Sequence, residues 1–349
     1  MKYSGYDLAC KQCGHITREE PHRAPPQQQA WGNVELTEWR LIGPTLAALL
    51  SMLHYRWRLS ARHCHELFIE LFGLHLSVGA IQQSFHESAR GSEPVMELLA
   101  SELAKEEVTY ADETPHKQAG VPLWLWVAMG ASTVLFFIGR RTKETFWRCI
   151  GIDLGGWLMS DGYRVYRKYE LRLRCWAHLI RKARGLAETY TPHVQGYGRT
   201  ILGILDTLKE GVYNAREGPP SDLVKTFTAD LSRLKALCIK MSNSKNEKAR
   251  KLGAEFLNDW DAIFRVLEHP HLPLTNNLAE RILRHWVILR RITQGTRTVQ
   301  DSRALATMAS IIESCRLRNA SPLRYLAQVI AAGRQGLDAP PLPSIPAAT

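Results

Sequence analysis

Val108-Thr-Tyr-Ala-Asp112 marks the point where the chain changes from a helical to a strand pattern. From there outward, Leu123–Ala128 and Val134–Gly139 read as two more strands across a Gly-Ala-Ser turn, and Gly156-Trp-Leu-Met-Ser160 as a fourth ending at Asp161. Thr142 is placed to cap a helix through Ile150. A short helix over Tyr163–Tyr169 leads to a fifth strand, Leu171–Trp176, and a helix from His178. Three meandering strands followed by crossovers predict an α/β fold: a mixed sheet with helices on its faces. This is also the ribonuclease-H-like order.

Upstream, Leu36 to about Glu107 is helical in pattern, with Thr37 and Ser60 as candidate N-caps and Leu46, Leu49, Leu50 and Leu53 as one apolar stripe. Ser60–Phe72, Gly73 and Ser77–Ala89 give a helix, a turn and a helix, compatible with a helix-turn-helix or with an ordinary bundle. Downstream, about Tyr190 to Glu268 carries no strand signal; apolar residues recur there at helical spacing. Helices are expected from Asn277, over Arg303–Arg318 and from Pro322. The expected organisation is thus 1–30, a zinc-binding or linker segment; 31–106, N-terminal helices; 107–190, first part of the sheet core; 191–270, an all-helical insertion; 271–336, last part of the core; 337–349, a Pro/Ala-rich disordered tail.

At 349 residues with 45% hydrophobic content the chain can bury a large core. No apolar run is long enough to span a bilayer, since Val121–Ile138 is broken by Pro122, Gly130, Ser132 and Thr133. Polar sequence after Met1 gives no secretory signal, and seven irregularly spaced cysteines fit a reducing cytoplasm better than a disulfide framework. A net charge of +11 favours polyanionic partners. The basic residues cluster: Arg281, Arg284, Arg290, Arg291, Arg297 and Arg303 in one stretch; Arg164, Arg167, Lys168, Arg172, Arg174, Arg181, Lys182 and Arg184 in another.

Each basic stretch follows an acid. Asp112 and Asp161 end strands, and Glu280 opens the helix at Asn277. On a helical wheel, Leu278, Ala279, Ile282, Leu283, Trp286 and Leu289 share the core-facing half, while Asn277, Glu280, Arg281, Arg284 and Arg291 share the other. An Asn277 N-cap with Glu280 at N3 is the plain capping explanation, and turn formation beside Gly162 is the plain one for Asp161. Neither explains why acids from three separate segments sit among arginines. Converging carboxylates in a basic protein meet the requirement of phosphodiester chemistry with two divalent cations, Mg²⁺ or Mn²⁺.

With these residues in view, the chain resembles the DDE transposases of the insertion sequence sixty-six family. The matching motifs are Tyr110-Ala-Asp-Glu-Thr114, Ser160-Asp-Gly-Tyr163, Arg174-Cys-Trp-Ala-His-Leu-Ile-Arg-Lys182, Leu274-Thr-Asn-Asn-Leu-Ala-Glu-Arg281 and Arg290-Arg-Ile-Thr-Gln-Gly-Thr-Arg297, in family order from about Leu36 to Ile330. The resemblance implies a ribonuclease-H-like core interrupted by a helical insertion. It also implies Asp112, Asp161 and Glu280 as ligands of two Mg²⁺ ions, with Mn²⁺ as a substitute, and DNA cleavage at element ends followed by strand transfer. Arg281, Arg284, Arg291, Arg297 and Asn277 become candidate DNA contacts. Cys175 and His178 match a Cys-x-x-His signature and are expected to support the site structurally rather than bind zinc. A homo-oligomer on paired DNA ends, accessory proteins of the same element and a nucleoid-associated location in the bacterial cytoplasm follow from the same resemblance. Cys10 and Cys13, with His15 and His22 nearby, resemble an incomplete zinc module, which leaves a catalytically inactive DNA-binding relict as the alternative.

Overall fold

The computed structural model describes residues 7–9, 16–18, 42–150, 154–219 and 221–345. Its contacts fall into two units, Met1–Gly43 and Pro44–Thr349. In the first, β1 (Asp7–Ala9) and β2 (Ile16–Arg18) pair antiparallel. Cys10, Cys13, His15, His22 and Thr37 lie outside the described residues.

The second unit opens with α1 (Pro44–Ser51), a π-helical turn (Met52–Arg56), α2 (Ala61–Phe72), α3 (Val78–Gly91) and α4 (Glu93–Leu103). Ser60 caps α2 by accepting from the His63 N–H, and Ser77 caps α3 by accepting from Ala80. Gly73 ends α2 at φ 61°, a left-handed conformation that suits glycine. The expected N-terminal helices are therefore present.

Five strands follow in one mixed sheet: β3 (Val108–Gln118), β4 (Val121–Met129), β5 (Val134–Gly139), β6 (Trp157–Ser160) and β7 (Arg172–Arg174), in the spatial order β5-β4-β3-β6-β7. The first three form an antiparallel meander; β6 and β7 add in parallel on the other side of β3. Crossovers are made by α5 (Lys143–Ile150) and a 3₁₀ turn (Arg164–Lys168), and α6 (Trp176–Ala187) leaves β7. Thr142 caps α5 by accepting from the Thr145 N–H. The β3–β4 hairpin runs well past the predicted Val108–Asp112, because polar Thr114, Lys117 and Gln118 pair with β4 and carry no apolar signal.

From Pro192 to Leu267 the chain is helical: α7 (Pro192–Glu217), α8 (Leu223–Thr226), α9 (Thr228–Ser242), α10 (Glu247–Asn258), α11 (Trp260–Phe264) and a 3₁₀ turn (Arg265–Leu267). Ile201, Leu205, Leu208, Leu234, Met241, Leu252 and Phe256 share one core with Trp176 and Leu179 of α6. The Trp176 indole N–H donates to the Ile263 carbonyl at 2.8 Å, tying this block to the start of α6. α12 (Asn277–Thr293), α13 (Val299–Leu317) and α14 (Pro322–Gln335) complete the fold. Residues 337–345, expected to be disordered, are instead held as extended chain: the Pro340 carbonyl accepts from the Tyr325 hydroxyl and that of Pro343 from Arg318. No helix among the described residues is long and apolar enough to cross a membrane.

β5 is a sheet edge, and an edge exposes a row of unpaired N–H groups. α13 covers it with two serines one turn apart. Ser314 Oγ accepts from the Val134 N–H at 2.9 Å and Ser310 Oγ from Phe136 at 2.8 Å, all buried. Ser314→Ala strands a buried N–H with nothing to replace its acceptor, so the expected cost is roughly 1–3 kcal/mol. Urea unfolding of the purified variant checks this; an unchanged midpoint would show that the edge does not depend on the pairing.

Candidate active site

The β3–β6 register decides where two of the acids stand. Val108 faces Trp157, Thr109 faces Leu158 and Tyr110 faces Met159. Asp112 lies two residues past the last β3 residue paired with β6, and Asp161 immediately follows the end of β6. Side chains alternate along β3, so Asp112 and Thr114 share one face and Glu113 takes the other. Arg290 of α12 donates to the Thr114 hydroxyl at 2.9 Å, which identifies the Asp112 face as the one beneath α12. Glu280 opens that helix.

The start of α12 is fixed by a residue outside the predicted site. Asn276 is fully buried; its side-chain amide donates to the Ala111 carbonyl at 2.9 Å, and its backbone N–H points to Cys175 Sγ at 3.2 Å. One residue thereby joins β3, the end of β7 and α12, immediately beside Asp112. The cap lies one residue earlier than the capping explanation requires. Asn276, not Asn277, is the N-cap; its Nδ2 donates to Ala111 and its Oδ1, the atom that would cap, makes no hydrogen bond among the described residues. Glu280 does not complete a capping box: its Oε1 is buried and makes no hydrogen bond among the described residues. Capping therefore does not account for Glu280. The sequence pair Asn276-Asn277 hinted at a special position but pointed to the wrong member.

Asp112 feels the charges of the other two acids. Burial, followed by the charges of Glu113, Asp161 and Glu280, pushes Asp112 up to about 7, against one backbone N–H from Glu113 that holds it down. Such a cluster of repelling, partly desolvated oxygens fits a divalent cation, whose charge would relieve the repulsion. Asp161 also shapes its turn, accepting from the Tyr163 N–H at 2.8 Å. Gly162 is needed for a reason other than turn conformation: an added Cβ would sit 2.7 Å from Glu255 Oε1 and 2.8 Å from an Arg174 nitrogen.

Cys175 is the N-cap residue of α6, and His178 lies one turn on with its Nδ1 3.7 Å from Glu280 Oε1. Both therefore stand beside the start of α12. His178, Asp161, Lys182 and Glu255 line a cavity of about 320 Å³ between the sheet and α10. On the opposite face, Glu113 accepts from the Tyr166 hydroxyl and from Arg141, both at 2.6 Å. Arg141 is held between the rings of Trp124 and Tyr163, 4.1 and 3.9 Å from their centroids. Nothing in sequence spacing could have found this assembly, since its members come from four segments.

Asn277, Arg281, Arg284, Arg291 and Arg297 are all exposed or half-exposed, on α12 or just after it. The second basic cluster divides. Arg172 and Arg174 are buried and cannot touch a partner: both pair with Asp259, itself buried, at 2.9 and 3.2 Å, and Arg174 also pairs with Glu255. These two arginines mount the helical block on β7, while Arg164, Arg167, Lys168, Arg181, Lys182 and Arg184 are exposed.

Residues 40–304 match the profile described as Transposase IS66 family. Two uncharacterized proteins of Sinorhizobium fredii are similar: y4jO, 26% identical over 164 residues (47% of this chain, 48% of y4jO), and y4qI, 24% identical over 269 residues (66% of this chain, 48% of y4qI). The chain spans about half the length of these curated relatives. With the profile covering about three quarters of its residues, the chain belongs to the IS66 family of transposases.

Proposed function

We propose that this chain is a DDE transposase that cuts DNA at the ends of an insertion element and joins those ends to target DNA. The observation that carries the reading is that Asp112, at the β3 stretch tied to α12 through Asn276, has the charges of Asp161 and Glu280, acids from two other distant segments, among the causes of its raised pKa. The strand order β5-β4-β3-β6-β7, with the acids at β3, the end of β6 and a helix after an all-helical block, supports a ribonuclease-H-like core with an insertion at 191–270.

Asp112, Asp161 and Glu280 would hold two Mg²⁺ ions, for which Mn²⁺ can substitute, because hard carboxylate oxygens with room for water suit these cations. When bound, the pair supplies an activated water or 3′-hydroxyl and stabilises the departing 3′-oxygen. The chain's own work is positional. Asn276, tied to Ala111, would hold the start of α12 and Glu280 against β3, and β3 and β6 would carry the two aspartates. Arg281, Arg284, Arg291 and Arg297, with Asn277, are placed to hold phosphates of DNA entering alongside α12, which makes binding salt-dependent. A multimer bridging two ends, with accessory proteins of the same element, belongs to the same reading.

The test is a supercoiled plasmid carrying the element's own ends, incubated with purified protein and Mg²⁺ or Mn²⁺. Nicked and joined products are expected, and Glu280→Gln should remove both while leaving DNA affinity nearly intact. Joined products at full yield from Glu280→Gln would exclude Glu280 from the chemistry. DNA binding with no cleavage under any metal would leave the catalytically inactive relict.

A further inference from the structure

Two buried polar atoms at the site have no hydrogen bond among the described residues, and they face each other: His178 Nδ1 and Glu280 Oε1. Their separation of 3.7 Å is too long for a hydrogen bond. It is close to the ~3.4 Å that separates two donors on one tetrahedral ion with bonds near 2.1 Å. A third donor completes the set, since Cys175 Sγ, His178 and Glu280 offer atoms all within 4.8 Å of one another.

We propose that Cys175, His178 and Glu280 form a three-ligand site for zinc, distinct from the all-oxygen Mg²⁺ site and sharing Glu280 with it. Sulfur and imidazole select a borderline-soft cation and reject Mg²⁺, so the two sites differ in chemistry although they touch. The Asn276 backbone N–H points to Cys175 Sγ at 3.2 Å, a ready partner for a thiolate once a cation displaces the proton. On binding, the Sγ–H bond breaks, the proton passes to solvent and an S–Zn bond forms, with no change of oxidation state. Three protein ligands leave one position for water. Zinc held on Glu280 Oε1 would draw that carboxylate toward His178 and Cys175 and away from the trio, stopping cleavage; this second half rests on the catalytic reading above.

Cobalt(II), a spectroscopic substitute for zinc, separates the two halves. Added to the full chain it should give a thiolate-to-cobalt charge-transfer band that zinc abolishes. The band should survive in Cys10→Ser/Cys13→Ser and in Asp112→Asn, and disappear in Cys175→Ser. Should Cys175→Ser fail to fold, His178→Gln, at a half-buried position, should weaken cobalt binding at least tenfold. Zinc in slight excess should cut Mg²⁺-dependent cleavage by the full chain at least tenfold. A parent chain without the band, or a band that persists in both Cys175→Ser and His178→Gln, overturns the site. Retained cleavage with zinc bound overturns the sharing of Glu280. If the band follows Cys175 yet no form of the chain cleaves DNA, the zinc site stands and the transposase chemistry falls.

Discussion

Asp112→Asn should abolish DNA cleavage and at the same time make the metal-free protein more stable. The two effects share one cause. Burial and three neighbouring negative charges push Asp112 up to about 7, so the folded state resists its ionisation and the unfolded chain does not. The sign follows from proton binding: between the unfolded value near 3.8 and about 7 the native state binds more protons, so stability falls as pH rises through that window. Above it the whole cost is present, on the order of 2–4 kcal/mol after allowing for partial solvent access. The amide in Asp112→Asn carries no charge to desolvate, so at pH 8 the variant's Tm should lie several degrees above the parent's, and at pH 4 the two should converge. Mg²⁺ should raise the parent's Tm at pH 8, less so at pH 5, and scarcely at all in the variant. Thermal melts across pH with and without Mg²⁺ measure all of this. A variant that is less stable than the parent at pH 8 would mean that Asp112 is a structural acid and that the site is not poised for a cation.

The opposite expectation holds for Asp259→Asn, which should cost roughly 3–5 kcal/mol, a large part of the stability of an ordinary domain. Asp259 has no exposed side-chain surface and faces Arg167 at 3.3 Å, Arg172 at 2.9 Å and Arg174 at 3.2 Å. Arg174 keeps Glu255, but Arg172, also buried, has no other ion-pair partner among the described residues, so removing the carboxylate charge leaves its guanidinium without compensation. Asp206→Ala is the contrasting control: its partner Lys209 is exposed on the same helix, and the loss should stay under about 1 kcal/mol. Denaturant unfolding of both variants decides the matter. A loss below about 1 kcal/mol for Asp259→Asn would show that the cluster is solvated in solution.

Much of the architecture was legible because apolar strands and amphipathic helices write their period into the sequence. Val134–Gly139 appears as read, and the polar half of α12 carries Arg281, Arg284 and Arg291 to the surface as the wheel required. What the sequence hid were the contacts made by polar residues whose partners lie far along the chain. Asn276 looks like half of an Asn pair until Ala111 accepts its amide. Arg174 looks like a nucleic-acid contact until Asp259 and Glu255 close around it. His285 carries no periodic signal, yet it receives hydrogen bonds from Arg58 at 2.7 Å and Arg56 at 3.2 Å, joining the N-terminal helices to α12. Hydrophobic period reports which face of an element is inside; it is silent on which distant polar atom will meet it there.

Asn276 also sets an order of events during synthesis. Its amide binds a strand made long before it, across the whole helical block, so the first two acids are in place while the third has yet to be translated. A chain stalled or terminated between Cys175 and Asn276 carries the strands of the sheet and part of the basic surface but no third carboxylate. Under the proposed chemistry, ribosome-bound intermediates and prematurely stopped products are harmless to the chromosome that encodes them, and the ability to cut arrives only with the last helices.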